Sequence, residues 1–351
     1  THFIAAKGDD MTPQHLKALL AASIAARLPV LVTGAPGAGK SDIVAQAAAA
    51  AGADLLISHP VVSDPTDAKG LPWKKEGEDT ATFLPFGDLA QALAARSPLV
   101  WFVDDLGQAA PAVQAAYMQL ILARRVNGHR LPECVTFVAA TNRRTDRAGV
   151  SGILEPVKSR FATIVELVPD LDQWCSWALD NGIAAEVVAF VRFRPELFNL
   201  FEPSADLSNC PLPRTWTHVS RLMSLDLEPD VLAPAICGAV GEGAGAEFVA
   251  FLRLWGDLPN IDLILRDPAA AAIPSQPGTL YAVCTALGRR VDVENFANVA
   301  AYALRLVEAG SGEFAVLLVR DCEQRAPAIC NTEAYVRLAT GPLGTLITGG
   351  E

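Results

Sequence analysis

Residues Gly34, Ala35, Pro36, Gly37, Ala38, Gly39, Lys40 and Ser41 follow the order G-x-x-x-x-G-K-[ST], the pattern of a loop that cradles phosphate. Glycines let backbone N–H groups turn inward on an anion. A helix beginning at such a loop adds partial positive charge at its N-terminus. Lys40 is placed to reach the β- and γ-phosphates of ATP, and the Ser41 hydroxyl to ligate Mg²⁺. Two carboxylates, Asp104 and Asp105, close the apolar run Leu99–Val103. Beside a phosphate loop, a carboxylate at the tip of such a strand is where an NTPase holds its metal. Asp104 is the candidate for that role. Asp105 is then placed to orient or deprotonate the attacking water. A further apolar run, Val135–Ala140, leads into Thr141-Asn142, where an amide can hold water or the γ-phosphate through neutral hydrogen bonds. A chance glycine turn and a pair of solvated aspartates are the plain alternatives, and the succession of all three features weighs against them.

The elements that must position these residues are legible in the patterning. Thr12-Pro13 opens a helix, with threonine as N-cap and proline at the first helical position; Leu16, Leu19, Leu20 and Ile24 follow at helical spacing. Pro29–Thr33 reads as a buried strand before the phosphate loop, and the run from Ser41 as a helix after it. Asp54–Ser58, Leu99–Val103, Val135–Ala140 and Thr163–Val168 read as four more strands, with helical patterns such as Pro111–Arg124 between most of them. Strands alternating with helices predict a parallel sheet covered on both faces. After Pro169 the strand signal nearly stops. Leu171–Asn181, Ile183–Arg192 and Arg214–Met223 read as helices around a proline-rich stretch, Pro195–Pro213. The expected division is an αβα nucleotide-binding core over 1–168, a helical lid over 169–257 and a mostly helical, unassigned region over 258–351. The fold class expected is α/β.

Composition narrows the function. The chain has 351 residues, enough for two or more domains, and 51% of them are hydrophobic, which suits a globular protein without long disordered tracts. No apolar stretch reaches the roughly 18 residues of a membrane span. The first ten residues show no secretory pattern. Seven cysteines stand singly, with no C-x-x-C pair, which argues against a disulfide framework or a zinc site and for a reducing cytoplasm. The histidines are isolated, and His129 and His218 read as surface or satisfied core residues. A net charge of −11 disfavours a non-specific duplex binder. Arg143, Arg144 and Arg147 form one local basic cluster, read as solvated. Arg124 and Arg125 read as cations complementing a helix C-terminus. Trp174 and Trp177, three apart on one helix, read as core.

The succession of Gly34–Ser41, Asp104-Asp105, Asn142, Ser159-Arg160-Phe161 and Pro213-Arg214 resembles an AAA+ ATPase. More narrowly, it is similar to the MoxR branch and its dynein-related relatives, which include the NorQ and CbbQ activases. Asp64–Pro72, after the second strand, and Phe83–Asp88 support that branch. The resemblance covers roughly residues 12 to 225. It implies a P-loop core followed by a helical lid, ATP and Mg²⁺ as cofactors, and a homo-oligomer, usually a hexameric ring. It implies Walker A roles for the loop through Lys40 and Ser41, and the Mg²⁺ aspartate for Asp104. Asn142 matches sensor 1. Arg160 matches the finger that reaches a neighbour's γ-phosphate, and Arg214 the sensor 2 arginine. In the family the usual partner is a protein with a von Willebrand factor A domain.

One residue departs from that pattern. The family usually carries Glu after the Walker B aspartate, and this chain has Asp105, shorter by one methylene. Either the strand tip lies closer to the γ-phosphate or hydrolysis is slow. The function expected is an ATP-hydrolysing ring that remodels or activates a protein client. The alternatives are a slow or non-hydrolysing nucleotide-gated assembly factor, a nucleic-acid-handling AAA+ ATPase, and a small-molecule P-loop kinase, which leaves the sensor residues and Ser159-Arg160-Phe161 without a role. Stimulation of ATPase activity by DNA separates the first expectation from the nucleic-acid alternative.

Overall fold

Along the chain, the elements of the first unit are α1 (Pro13–Ala26), β1 (Val30–Thr33), α2 (Lys40–Ala50), β2 (Asp54–Ser58), α3 (Pro65–Lys69), β3 (Leu71–Lys74), β4 (Ala81–Leu84), α4 (Gly87–Ala94), β5 (Leu99–Val103), α5 (Pro111–Ala123), β6 (Arg125–Val126), β7 (His129–Arg130), β8 (Val135–Thr141), α6 (Glu155–Lys158) and β9 (Thr163–Glu166). The structure is a computed structural model that describes residues 11–77, 79–146, 152–203, 207–256, 259–341 and 343–344. Five strands form one parallel sheet in the order β2-β5-β8-β1-β9. They are the five runs expected from the sequence.

Alternation along each strand sends side chains to opposite faces of this sheet. Val30, Val32, Val100, Phe102, Val138 and Ala140 pack on one face with Leu16 and Leu20 of α1 and Ile43 and Val44 of α2. Leu31, Trp101, Val103, Phe137 and Ala139 pack on the other with Leu89 of α4 and Val113, Tyr117 and Leu120 of α5. Burial on both faces is why the strands read as unbroken apolar runs. A polar chain stitches the edge. Trp101 Nε1 donates to Ser58 Oγ at 2.7 Å, and Ser58 Oγ in turn donates to Asp88.

Two short antiparallel hairpins are additions to the expected elements. In β3–β4, Leu71 pairs with Leu84 and Lys74 with Ala81; Pro72 and the exposure of β3 hide the strand pattern. In β6–β7, Val126 pairs with His129 across Asn127 and Gly128, whose φ angles are 46° and 88°. Positive φ at both turn positions is what a type I′ turn requires, and Asn-Gly is its strongest sequence signal. Asn127 Nδ2 donates to Lys69 O at 2.9 Å, and His129 Nε2 lies 2.7 Å from Phe83 O. Arg124 ends α5 in the left-handed conformation, with Nη2 donating to Pro132 O at 2.6 Å, and Arg125 belongs to the hairpin.

The described residues up to Asp170, with 201–203, make this first compact unit. The second runs over Leu171–Leu200 and the described residues from 207 on, and its elements are helical: α7 (Leu171–Asp180), α8 (Ala185–Phe193), α9 (Pro213–Met223), α10 (Pro229–Val240), α11 (Glu242–Gly256), α12 (Ile261–Arg266), α13 (Pro277–Arg290), α14 (Phe296–Glu308), α15 (Gly312–Arg325) and α16 (Glu333–Thr340). It contains two apolar cores. One gathers Phe190, Trp216, Phe248 and Phe251, with Trp174 and Trp177 packed against it. The other gathers Leu287, Phe296, Tyr302 and Leu318. Helix α13 serves both, through Ala282 in the first and Leu280 and Val283 in the second. Helices on both sides of residue 258, from α7 to α16, thus lie in the second unit. The architecture is the α/β class expected, a parallel sheet sandwiched by helices, followed along the chain by a helical unit.

Candidate functional site

In the sheet order, β8 lies between β5 and β1, so the carboxyl ends of these three strands meet side by side. Each carries part of the predicted site. In open α/β sheets this crevice is where ligands bind. From the end of β1 the chain turns through Gly34–Gly39 into α2. Gly39, with φ 90°, and Gly37, with φ 71°, hold conformations that L side chains rarely adopt. Gly39 is the N-cap of α2 and brings no side-chain hydrogen bond, so no cap competes with an anion for the helix's first N–H groups.

Lys40 is buried, at 7% exposure, and its ammonium spans the mouth of the loop. Nζ donates to Gly34 O and Ala35 O, each at 3.0 Å, and to Asn142 Oδ1 at 2.8 Å. Ser41 Oγ donates to Asp104 Oδ2 at 2.8 Å. The hydroxyl and carboxylate thus form a pair of adjacent oxygen donors, the chemistry that suits hard Mg²⁺. The uncapped helix start and the loop glycines suit phosphate. The residues present fit both groups. Among the described residues no cluster of three or more His, Cys, Asp or Glu could hold a metal.

Asp105 sits in the left-handed region, with φ 55° and ψ 34°, and opens a 3₁₀ turn over Leu106–Gln108. Asp104 Oδ1 accepts the Asp105 N–H at 3.0 Å and steadies this bend. Asp105 Oδ1 accepts Gln108 Nε2 at 2.7 Å and Asn142 Nδ2 at 3.5 Å. Thr141 Oγ1 lies 3.4 Å from Gln108 Oε1. One network therefore joins Lys40, Asn142, Asp105, Gln108 and Thr141 across three strand tips. Gln108 is the member that sequence reasoning missed. Its signal is only a polar residue three positions after an acid in a turn.

Among the described residues, neither candidate arginine takes part in the hydrogen bonds of this network. Arg160 lies just beyond α6, half-buried, with Nη1 donating to Ser159 Oγ at 3.1 Å. Its Nε is buried and has no acceptor among the described residues. Arg214 stands exposed in the first turn of α9, in the second unit. The basic cluster divides. Arg143 pairs with Asp146 and with Glu166, each at 3.0 Å. Its hydrogen bonds to Asp146, and then to Glu166, hold the guanidinium above its ordinary pKa. Arg144 is exposed, and Arg147 lies outside the described residues.

No protein-family model matches the chain, and no curated protein matches it. Solved structures that it resembles include a proline-to-glycine mutant of RuvB from Thermotoga maritima, at 16% identity over 84% of this chain and 86% of that one, with a TM-score of 0.41. The Thermotoga maritima RuvB Holliday junction branch migration motor matches at 16% identity over 85% of this chain and 87% of that one, with a TM-score of 0.39. NtrX from Brucella abortus in complex with ADP matches at 12% identity over 88% of this chain and 64% of that one, with a TM-score of 0.36. Among the described residues no helix is long and apolar enough to cross a membrane.

Proposed function

We propose that the chain is a Mg²⁺-dependent AAA+ ATPase of the MoxR type, acting as a homo-oligomeric ring, on the family's precedent a hexamer. One observation carries the ATPase reading. The Lys40–Asn142–Asp105 network and the Ser41–Asp104 pair converge on the uncapped start of α2. Lys40 and the loop bind and orient the β- and γ-phosphates. Mg²⁺, when bound, neutralises charge that builds on those oxygens. Ser41 and Asp104 hold it. Asp105 takes or orients the proton of the attacking water, and Asn142 positions that water through its amide. Arg160 supplies positive charge to a neighbour's nucleotide, and Arg214 takes the sensor 2 role that the sequence resemblance implies. The MoxR branch, the protein client and its von Willebrand factor A domain rest on the sequence resemblance. A cytoplasmic setting rests on the single, unpaired cysteines.

Slow turnover is a second reading, favoured by the hold of Gln108 on Asp105 at 2.7 Å. A carboxylate engaged there must let go before it can serve a water. Titration with fluorescent ATP tests the site itself. Lys40→Ala is expected to abolish tight binding, since it removes the cation at the loop mouth. Unchanged affinity would exclude this loop as the phosphate site.

A further inference from the structure

Gln114 is a glutamine at 0% exposure on α5, within the apolar core between that helix and the sheet. Its amide is fully engaged, and by backbone from two separate segments. Nε2 donates to Ala109 O and to Gly152 O, each at 3.0 Å. Oε1 accepts the Leu154 N–H at 3.1 Å. A buried amide satisfied this way fixes the spacing between the groups it bonds, because losing it leaves them unpaired.

The first segment is the turn that Asp105 opens. Asp105 O accepts the Gln108 N–H at 3.0 Å, and Leu106 O accepts the Ala109 N–H at 3.3 Å. The second segment runs directly into α6 and on to Arg160. Leu154 O accepts the N–H groups of Val157 and Lys158, at 2.8 and 3.0 Å, and Val157 O accepts that of Arg160 at 3.0 Å. A packing contact runs beside the amide. A Cβ on Gly107 would lie 2.2 Å from Thr141 Oγ1 and 3.4 Å from Ile153 Cγ1. The Asp105 turn therefore sits against both the tip of β8 and the segment that leads to the arginine.

We propose that Gln114 is a positioning residue, tying the Asp105 turn of a subunit's own nucleotide site to the arginine that the same subunit offers its neighbour. The proposal rests on the ATPase ring reading above. A shift of the Asp105 turn on releasing Gln108 is carried by Ala109 and Gln114 to residues 152–154, and by α6 to Arg160. A residue that only filled the core would leave the arginine's contribution intact.

The test is single-turnover hydrolysis of labelled ATP with Gln114→Ala, Arg160→Ala and the double variant, beside nucleotide titration. Gln114→Ala should keep wild-type affinity and lose about 10²-fold in rate, the scale of a misplacement of roughly 1 Å. In the Arg160→Ala background the same change should have almost no further effect, because both act through one group. Adding Lys40→Ala subunits, which keep an intact arginine, should restore part of the turnover of Gln114→Ala. Losses that multiply in the double variant, or a folded Gln114→Ala with wild-type rate, would overturn the proposal. Should Gln114→Ala fail to fold, Ile153→Ala loosens the same segment without unpairing a polar group, and the same non-additivity is required of it. Wild-type turnover in Arg160→Ala alone would instead remove the arginine reading on which the proposal stands.

Discussion

In the proposed ATPase, Asp105 is the residue on which the rate turns. Aspartate tolerates the left-handed conformation better than most L residues, and here it adopts it at the end of β5. Its carboxylate is held by two amides, Gln108 at 2.7 Å and Asn142 at 3.5 Å. Asp105→Asn keeps an oxygen for Gln108 and removes only the charge, so the fold should survive. Nucleotide affinity should be unchanged, while hydrolysis should slow by about 10²–10⁴-fold, the usual range for a lost general base. Asp105→Glu retains the charge with a longer reach, and its rate should equal or exceed that of wild type. Phosphate release beside nucleotide titration reads both, and wild-type behaviour in both would make Asp105 a bystander. At this scale the sequence shows Lys40, Ser41, Asp104, Asp105 and Asn142, because each follows an apolar run at a fixed offset. It hides Gln108 and Gln114, whose meaning comes from partners such as Asp105 in a bent turn and Gly152 O, 38 residues away.

Elements buried on two faces announce themselves, and elements held by long-range polar contacts do not. The strands β1, β5 and β8 are legible because every position but Thr33 is buried. The hairpin β3–β4 is exposed along β3, so its residues carry no burial pattern to read. In the helical unit, α8 and α15 are linked by an ion pair between Arg192 and Asp321, 129 residues apart and exposed by only 8% and 3%. The guanidinium donates to both carboxylate oxygens, at 2.5 and 2.7 Å. Nothing in the spacing of a lone arginine and a lone aspartate predicts this. Arg192→Met leaves Asp321 buried without its partner, and should destabilise the chain by about 3–5 kcal/mol in chemical denaturation. The double change Arg192→Met with Asp321→Leu should recover most of that loss, since it removes both desolvated charges and keeps apolar volume. A double variant as unstable as the single one would show that the pair is net stabilising in this core.

The whole molecule poses the question of what completes Arg160. Among the described residues, its buried Nε lacks an acceptor and its Nη1 donates to the neighbouring Ser159 hydroxyl. A guanidinium is suited to bidentate recognition of phosphate, and its charge remains at any working pH. The ring reading supplies that phosphate from the adjacent subunit, so the nucleotide bridges two chains. Assembly and nucleotide should then be linked by mass action, each favouring the other. Light scattering at micromolar protein is expected to report a larger particle with ATP and Mg²⁺ than without. Lys40→Ala should not respond, because it cannot hold the bridging nucleotide. Arg160→Ala should bind ATP as wild type does but assemble less, because the neighbour's contact to the γ-phosphate is gone. It should also hydrolyse ATP about 10³–10⁵-fold more slowly, the range for loss of such an arginine. The contrast between the two variants is the decisive part. Binding without assembly in Arg160→Ala places the arginine at the contact between chains, whereas an identical monomer in all three proteins, with and without nucleotide, would overturn the ring.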